Sequence, residues 1–195
     1  MKKSLILLAG YPATGKTYLA NQIIDRHPDA FAVITPDDIK EQVWDEVGFD
    51  NAEEKAKVEL EVWRRYYEQI EESFAAGKQV ISEYPFSDKQ KPTLTKLTEQ
   101  YGYQVLTVRL VGDPKVIYAR SYSRDLGSDR HLGHLMTHYH KGDVLEDRTK
   151  ADALVTLNIF LDRCAHKGYD RFCMGELIEV DATDVSKIDY PTLLD

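Results

Sequence analysis

The sequence predicts an α/β fold of three layers, with a parallel β-sheet between two layers of helices. Short apolar runs alternate with longer segments of helical periodicity along the whole chain. The runs are nearly continuous in apolar residues, which is typical of parallel strands that are covered on both faces. Neither an internal repeat nor a low-complexity segment interrupts the 195 residues. We therefore expect one domain over residues 1–195.

The apolar runs are the predicted strands, and the segments between them are the predicted helices. In chain order the runs are SLILLA, FAVIT, QVISEY, YQVLTVRLVG and ELIEVDA. The helical segments are residues 16–27, 37–47, 52–76, 88–101, 114–125 and 151–165. Pro114 suits the first position of its helix, because that position needs no backbone N–H.

The helix at residues 52–76 has the most regular pattern. Its apolar residues recur three and four positions apart, which predicts one stripe facing the core. The predicted stripe consists of Ala56, Leu60, Trp63, Tyr67, Ile70 and Phe74.

Composition excludes some classes of protein. The formal net charge is −8, from 25 basic and 33 acidic residues. Broad binding of duplex nucleic acid needs clustered Lys and Arg, so this balance argues against it, although a nucleic acid end stays open as a ligand. No apolar run reaches the roughly 18 residues of a membrane span, and residues 5–9 lead into a glycine loop rather than a cleavage site. We expect a cytoplasmic protein.

The first predicted strand runs directly into GYPATGKT, residues 10–17. Glycine, four residues, glycine, lysine and threonine between a strand and a helix is the phosphate-binding P-loop. Its backbone N–H groups and the helix N-terminus attract phosphate, Lys16 would reach the β- and γ-phosphates, and Thr17 would offer its hydroxyl to Mg²⁺. We expect ATP and Mg²⁺ as cofactors. The chain has no NKxD-like motif, which argues against a GTPase, but the sequence leaves the choice between ATP and GTP open. The predicted nucleotide-binding residues are Gly10, Ala13, Thr14, Gly15, Lys16, Thr17 and Tyr18.

Two adjacent carboxylates, Asp37 and Asp38, follow the second predicted strand in VITPDDIK. Ligands bind at the carboxyl ends of strands in open α/β sheets. A carboxylate there can accept the proton of an attacking hydroxyl. Asp is also a common helix N-cap, and the sequence leaves both interpretations open. Glu83 ends the third strand, where it could hold Mg²⁺ through water, contact the acceptor, or simply be solvated.

Arg120 and Arg124 lie four residues apart, on one face of a predicted helix. They could close over the triphosphate and stabilise charge on the transferring phosphoryl group. Alternatively, they belong to a solvated face with Asp125 and Asp129 as partners. The polar segment at residues 126–133 contains two glycines and predicts a mobile loop. Together with the helix it would form a helical lid at about residues 115–133.

These stretches, with ISEYPFSDKQK and DPKVIYARSYSR, resemble a P-loop kinase family over residues 4–141. That family includes polynucleotide 5′-hydroxyl kinase, the zeta toxins, chloramphenicol phosphotransferase and many small kinases with an AAA-like ATP-binding domain. The resemblance implies five parallel strands flanked by helices. It implies Asp37 as general base, Arg120 and Arg124 as lid arginines, and Glu83 as the acidic residue after the third strand. Lys40 stands where polynucleotide kinase has an arginine that grips the acceptor phosphate.

Four histidines lie close together, namely His131, His134, His138 and His140. His134 and His138 have a spacing that can chelate a metal on a helix. The segment could instead line the acceptor side, or lie on the surface.

The sequence thus predicts an ATP-dependent kinase that phosphorylates a hydroxyl of a small molecule, a nucleotide or a nucleic acid end. Its predicted catalytic residues are Lys16, Asp37, Arg120 and Arg124, and Asp38, Lys40 and Glu83 join Asp37 as predicted acceptor contacts. The acceptor pocket would be built by residues 39–76 and 87–97. A nucleoside monophosphate kinase and a nucleotide-dependent switch are the alternatives.

Overall fold

A computed structural model describes residues 3–194 and shows a five-stranded parallel sheet. The strands are β1 (Ser4–Gly10), β2 (Phe31–Val33), β3 (Gln79–Glu83), β4 (Gln104–Val111) and β5 (Glu176–Asp181). Their order across the sheet is β2-β3-β1-β4-β5, and every neighbouring pair is parallel. The helices are α1 (Lys16–Arg26), α2 (Pro36–Val47), α3 (Ala52–Ala75), α4 (Lys91–Tyr101), α5 (Pro114–Leu126), α6 (Leu157–His166) and α7 (Tyr190–Leu194). The α/β fold and the five parallel strands are confirmed.

The central strand β1 divides the core into two layers. Leu5 and Leu7 pack on one face with residues of α2, α3 and α4. Leu8 packs on the opposite face, where Leu19 of α1 joins it. Successive side chains of a strand point to opposite faces, so the continuous apolar run SLILLA supplies both layers at once. The sheet therefore holds the loop after β1 at its centre.

The stripe predicted for α3 is wrong in its first half. Leu60 is 72% exposed, and Ala56 is exposed as well. The row of buried residues on α3 is Val62, Tyr66, Ile70 and Phe74. The helix carries two neighbouring apolar rows, and periodicity alone does not say which of them faces the sheet. Trp63 and Tyr67 lie beside the buried row and are only partly covered.

The segment after α5 is packed, which contradicts the mobile loop predicted at residues 126–133. Leu132 is buried in a cluster with Trp44 and Phe49. Tyr139 exchanges two backbone hydrogen bonds with Phe49, at N···O distances of 2.9 and 2.7 Å. Gly133 lies so close to α2 that an added Cβ would sit 2.3 Å from Trp44 Cε3. Residues 131–140, the docking segment, thus connect the end of α5 to α2 and its C-terminal loop.

None of the helices within residues 3–194 has the length and apolar character required to cross a lipid bilayer.

Candidate nucleotide and acceptor site

The loop between β1 and α1 has the tight geometry that its motif predicts. Gly10 has a φ of +108°, and a Cβ there would meet the carbonyl oxygen of Leu110 at 1.9 Å. Only glycine fits, because β4 approaches the loop so closely. Ala13 and Gly15 also have positive φ, at 59° and 90°. These turns bring the chain back to the first turn of α1, which begins at Lys16.

Lys16 is folded back across this loop and is buried. Its Nζ donates a 2.7 Å hydrogen bond to the carbonyl oxygen of Tyr11, which also accepts one from the Thr14 hydroxyl at 2.9 Å. Burial lowers the pKa of Lys16 to about 8, although the carboxylates of Glu83 and Asp37 oppose that effect. No carboxylate among residues 3–194 contacts this buried ammonium, so it is well suited to bind a phosphate.

Thr17 and Glu83 join the loop to the neighbouring strand. The Thr17 hydroxyl donates a 2.7 Å hydrogen bond to Oε1 of Glu83, at the carboxyl end of β3. Burial raises the pKa of Glu83, while the hydrogen bond from Thr17 and the charge of Lys16 lower it. Hydroxyl and carboxylate oxygens are the ligands that Mg²⁺ prefers. The two side chains therefore fit a magnesium ion next to the phosphate loop.

Thr35 caps α2, and this excludes the interpretation of Asp37 or Asp38 as the cap. The Thr35 hydroxyl accepts a 3.2 Å hydrogen bond from the backbone N–H of Asp38, and Pro36 occupies the first turn. Asp37 and Asp38 are thereby inside the first turn, with their carboxylates free of the capping role. The side chain of Asp37 remains 41% exposed.

Asp37 lies beside a buried lysine. Nζ of Lys40 is 3.4 Å from Oδ1 of Asp37, and it donates a 2.9 Å hydrogen bond to the Tyr84 hydroxyl. Burial acts to raise the pKa of Asp37, but the charges of Lys40, His134 and Arg130 and the hydrogen bond from Lys40 outweigh it. They bring the pKa to about 2. Asp37 is therefore a carboxylate at any physiological pH.

The two predicted lid arginines make different contacts. Arg124 Nη2 lies 2.8 Å from Oδ1 of Asp125, which is buried rather than solvated, and Arg130 Nε lies 3.5 Å from the same oxygen. Arg120 Nη2 donates instead to the carbonyl oxygens of Ala182 and Thr183, in the loop after β5. Arg120 therefore ties α5 to that loop, and Arg124 and Arg130 meet at one buried carboxylate.

One cavity of about 640 Å³ joins these groups. This volume is within the range of ordinary small-molecule sites. It is lined by ten of the predicted site residues, namely Ala13, Gly15, Lys16, Thr17, Asp37, Asp38, Lys40, Glu83, Arg120 and Arg124. Gly10 and Thr14 are buried within the loop and do not line the cavity. Tyr18 is 53% exposed, and its ring packs edge-on against Tyr190, with centroids 5.1 Å apart.

The acceptor half of the cavity differs in part from the expected one. Residues of α2 and α3 line it, as expected for residues 39–76, but residues 87–97 do not. Its other wall comes from residues 155–169, which the sequence did not single out. The predicted range 39–76 includes the lining residues Glu41, Trp44, Lys55 and Glu59, although the sequence did not single them out, whereas Tyr84, Arg163 and Tyr169 were not predicted at all. Lys55 and Glu59 lie four residues apart on one face of α3. That spacing was the only indication in the sequence that they could act together at the acceptor site.

The histidines pair with carboxylates from other segments. The ring nitrogens lie 2.7–3.5 Å from carboxylate oxygens in four pairs: His131–Asp45, His134–Glu41, His138–Asp152 and His140–Asp50. His134 and His138 are not on one α-helix, because only a single 3₁₀ turn forms there. Within residues 3–194 no three His, Cys, Asp or Glu side chains are grouped to hold a metal. The metal interpretation of this segment is therefore wrong, and three of the four pairs attach it to α2 and the loop after α2.

The parallel sheet and the glycine loop at its centre define a P-loop kinase fold. The chain belongs to a family of AAA domains, whose model matches residues 5–137. A search of curated proteins found no match.

Solved structures from three organisms share the fold. A "putative kinase" from Chloroflexus aurantiacus has a TM-score of 0.75 and 23% identity, over 100% of this chain and 96% of that one. A sugar kinase from Janibacter has a TM-score of 0.53 and 14% identity, over 100% and 91% of the two chains. A gluconokinase from Sinorhizobium meliloti has a TM-score of 0.50 and 12% identity, over 98% and 87%. Similarities at this level of identity concern the fold.

Proposed function

We propose that the protein is an ATP-dependent kinase that transfers the γ-phosphoryl group of Mg·ATP to a hydroxyl of an acceptor. One observation supports this most strongly. Thr35 caps α2 and leaves Asp37 as an ionised carboxylate in the same cavity as Lys16 and Thr17. The resemblance of the sequence to kinases such as polynucleotide 5′-hydroxyl kinase agrees with a hydroxyl acceptor.

The nucleotide half of the site binds the triphosphate. The loop amides and Lys16 contact the β- and γ-phosphates, with Arg124 and Arg130 available from the lid side of the cavity. Thr17 and Glu83 would hold Mg²⁺, which neutralises charge on the phosphates when it is bound. Arg120 stabilises the loop after β5. We place the adenine base of ATP between this loop, Tyr18 and α5.

Asp37 acts on the acceptor. It accepts a hydrogen bond from the acceptor hydroxyl and aligns the oxygen with the γ-phosphorus. The oxygen forms a bond to that phosphorus while the bond to the β–γ bridging oxygen breaks, and ADP leaves. The transition state of such transfers is loose, so the hydroxyl loses its proton late, and a weakly basic carboxylate is sufficient to receive it.

The test is a comparison of Asp37→Asn with Asp38→Asn. ADP release is measured across a panel of hydroxyl compounds and oligonucleotides, with Lys16→Ala as the blank. We expect Asp37→Asn to lose at least about 100-fold in kcat, as for general bases elsewhere, while ATP binding by calorimetry stays near wild type. The neighbouring Asp38→Asn alters a predicted acceptor contact but keeps the base, so the KM for the acceptor should rise while kcat stays near wild type. Full transfer by Asp37→Asn would show that this role of Asp37 is wrong.

A nucleoside monophosphate kinase is a second candidate, because the acceptor half contains Lys40, Lys55 and Arg163. An acceptor phosphate needs cations and no carboxylate base. Transfer to nucleoside monophosphates that persists in Asp37→Asn would favour this candidate. Tight ATP binding without transfer to any acceptor would instead favour a nucleotide-dependent switch.

A further inference from the structure

Three cations from separate helices line the acceptor half of the cavity. Lys40 comes from α2, Lys55 from α3 and Arg163 from α6, and all three line the same cavity. Three separate elements thus bring positive charge to one place in a chain whose formal net charge is −8.

Two of these cations have no contacting carboxylate among residues 3–194. Lys55 Nζ donates a 3.0 Å hydrogen bond to the carbonyl oxygen of Met136 and lies 5.3 Å from the ring centroids of Trp44 and Phe49. The exposed guanidinium of Arg163 has neither an ion pair nor a side-chain hydrogen bond within those residues. Lys40, in contrast, is paired with Asp37.

The charges around Lys55 are unfavourable without a ligand. Burial lowers the pKa of Lys55, and the charges of Lys40 and Arg163 lower it further, while the carboxylates of Glu59 and Asp152 oppose these effects. Glu59 is the single carboxylate of α3 in this cavity, and it is not within ion-pair distance of either cation. An incoming anion would satisfy both Lys55 and Arg163, since hydrogen bonds between ionised groups are the strong ones.

The surroundings of Arg163 suit a small polar ligand. The guanidinium offers a planar pair of donors that matches a carboxylate or a phosphate. Tyr169 lines the same wall, and its hydroxyl has no hydrogen-bond partner among residues 3–194. Asp37 repels an anion, so a negatively charged acceptor would direct its anionic group away from Asp37 and its hydroxyl towards it.

We infer that the acceptor carries an anionic group, a carboxylate or a phosphate, which Lys55 and Arg163 bind while its hydroxyl faces Asp37. This inference rests on the proposed function, since it names the class of acceptor for the same site. It makes Lys55 and Arg163 specificity-determining residues.

The experiment measures acceptor binding by calorimetry with the phosphate loop already filled by Mg²⁺ and a non-hydrolysable ATP analogue. Filling the loop matters, because the loop itself binds anions. The probes are glycerol, glycerate and glycerol 3-phosphate, and sorbitol, gluconate and sorbitol 6-phosphate. We expect at least one anionic member to bind more tightly than its neutral counterpart, and the carboxylate and phosphate arms identify the anion. Equal or weaker binding of every anionic member would overturn the inference.

Matched variants locate the effect. Arg163→Gln and Lys55→Met should each weaken binding of the preferred anionic probe by about ten- to hundredfold, the usual range for hydrogen bonds to charged groups. Binding of the ATP analogue should not change. Arg171→Gln is the control, because Arg171 is also an exposed arginine but does not line the cavity. Equal losses in Arg163→Gln and Arg171→Gln would contradict the inference.

The inference and the proposed function can fail separately. Anion-selective binding that depends on Arg163, without ADP release from ATP, would contradict the kinase proposal and leave the anion site in place. Transfer to a neutral acceptor that Arg163→Gln does not weaken would support the kinase and overturn the anion site.

Discussion

The Thr17 hydroxyl donates a 2.7 Å hydrogen bond to Oε1 of Glu83 and so connects the phosphate loop to the end of β3. Both oxygens suit Mg²⁺, and a carboxylate that orients a metal-binding hydroxyl tunes the affinity of the site. The first turn of α1 and the neighbouring strand therefore bring two oxygens together beside the phosphate loop, where we propose that Mg²⁺ binds.

Glu83→Gln should raise the Mg²⁺ concentration for half-maximal activity by about 10- to 100-fold, the usual effect of losing such a partner. Glutamine keeps the size of the side chain and removes its charge. The measurement is activity against free Mg²⁺ at saturating ATP. Glu72→Gln, an exposed position of α3, is the control. An unchanged Mg²⁺ requirement in Glu83→Gln would show that Glu83 has no role in the metal site.

Lys40→Met should introduce a new pH dependence. Lys40 is the largest of the groups that lower the pKa of Asp37 to about 2. Without it the pKa should rise towards or above the ordinary value of about 3.9. Because ionised Asp37 is the active form, kcat/KM of the variant should then fall as the pH decreases from about 6 to 4.

The measured quantity is the ratio of kcat/KM between Lys40→Met and wild type, since titration of ATP itself cancels in this ratio. Lys57→Met, which alters an exposed lysine of α3 paired with Glu53, is the control. A ratio that stays constant with pH would show that Lys40 does not keep Asp37 ionised.

Much of the nucleotide half was predictable because its determinants are local. The continuous apolar run before residue 10 specifies a buried strand, and the glycine loop follows it in the chain. The capping of α2 was not predictable, since Thr35, Asp37 and Asp38 are all residues that cap helices. The structure shows that Thr35 is the cap, because its backbone is extended, at φ −118° and ψ 135°, directly before the helix begins.

The acceptor half was mostly not predictable because it depends on contacts distant in sequence. Arg163 and Tyr169 are more than 100 residues from the phosphate loop, and no motif marks them. Residues 126–133 have the glycine and polar content of a loop, yet Trp44 packs on Gly133 and fixes them. Tertiary packing thus overrides the local composition of this segment.

Gly133→Ala should destabilise the protein by about 1–3 kcal/mol, the usual cost of overpacking. The added methyl group would collide with Trp44, which is fully buried. Trp44 also lines the acceptor half, so the KM for the acceptor should rise more than the KM for ATP. Urea denaturation measures the first effect and steady-state kinetics the second.

Ser128→Ala, an exposed position close to the docking segment, is the control for this substitution. A Gly133→Ala protein as stable as wild type would show that the close packing of Trp44 on the docking segment contributes little to stability.

The hydroxyl of Thr35, by capping α2, separates the integrity of the helix from the chemistry at position 37. Replacing Asp37 with asparagine should therefore leave α2 capped, and the amide oxygen of asparagine can still accept the hydrogen bond from Lys40. Such a protein would hold ATP and the acceptor together without consuming either. Incubated with a cell extract and then denatured, it should release its natural acceptor intact for mass spectrometry, so the residue that we propose as the base also provides the means to identify the substrate.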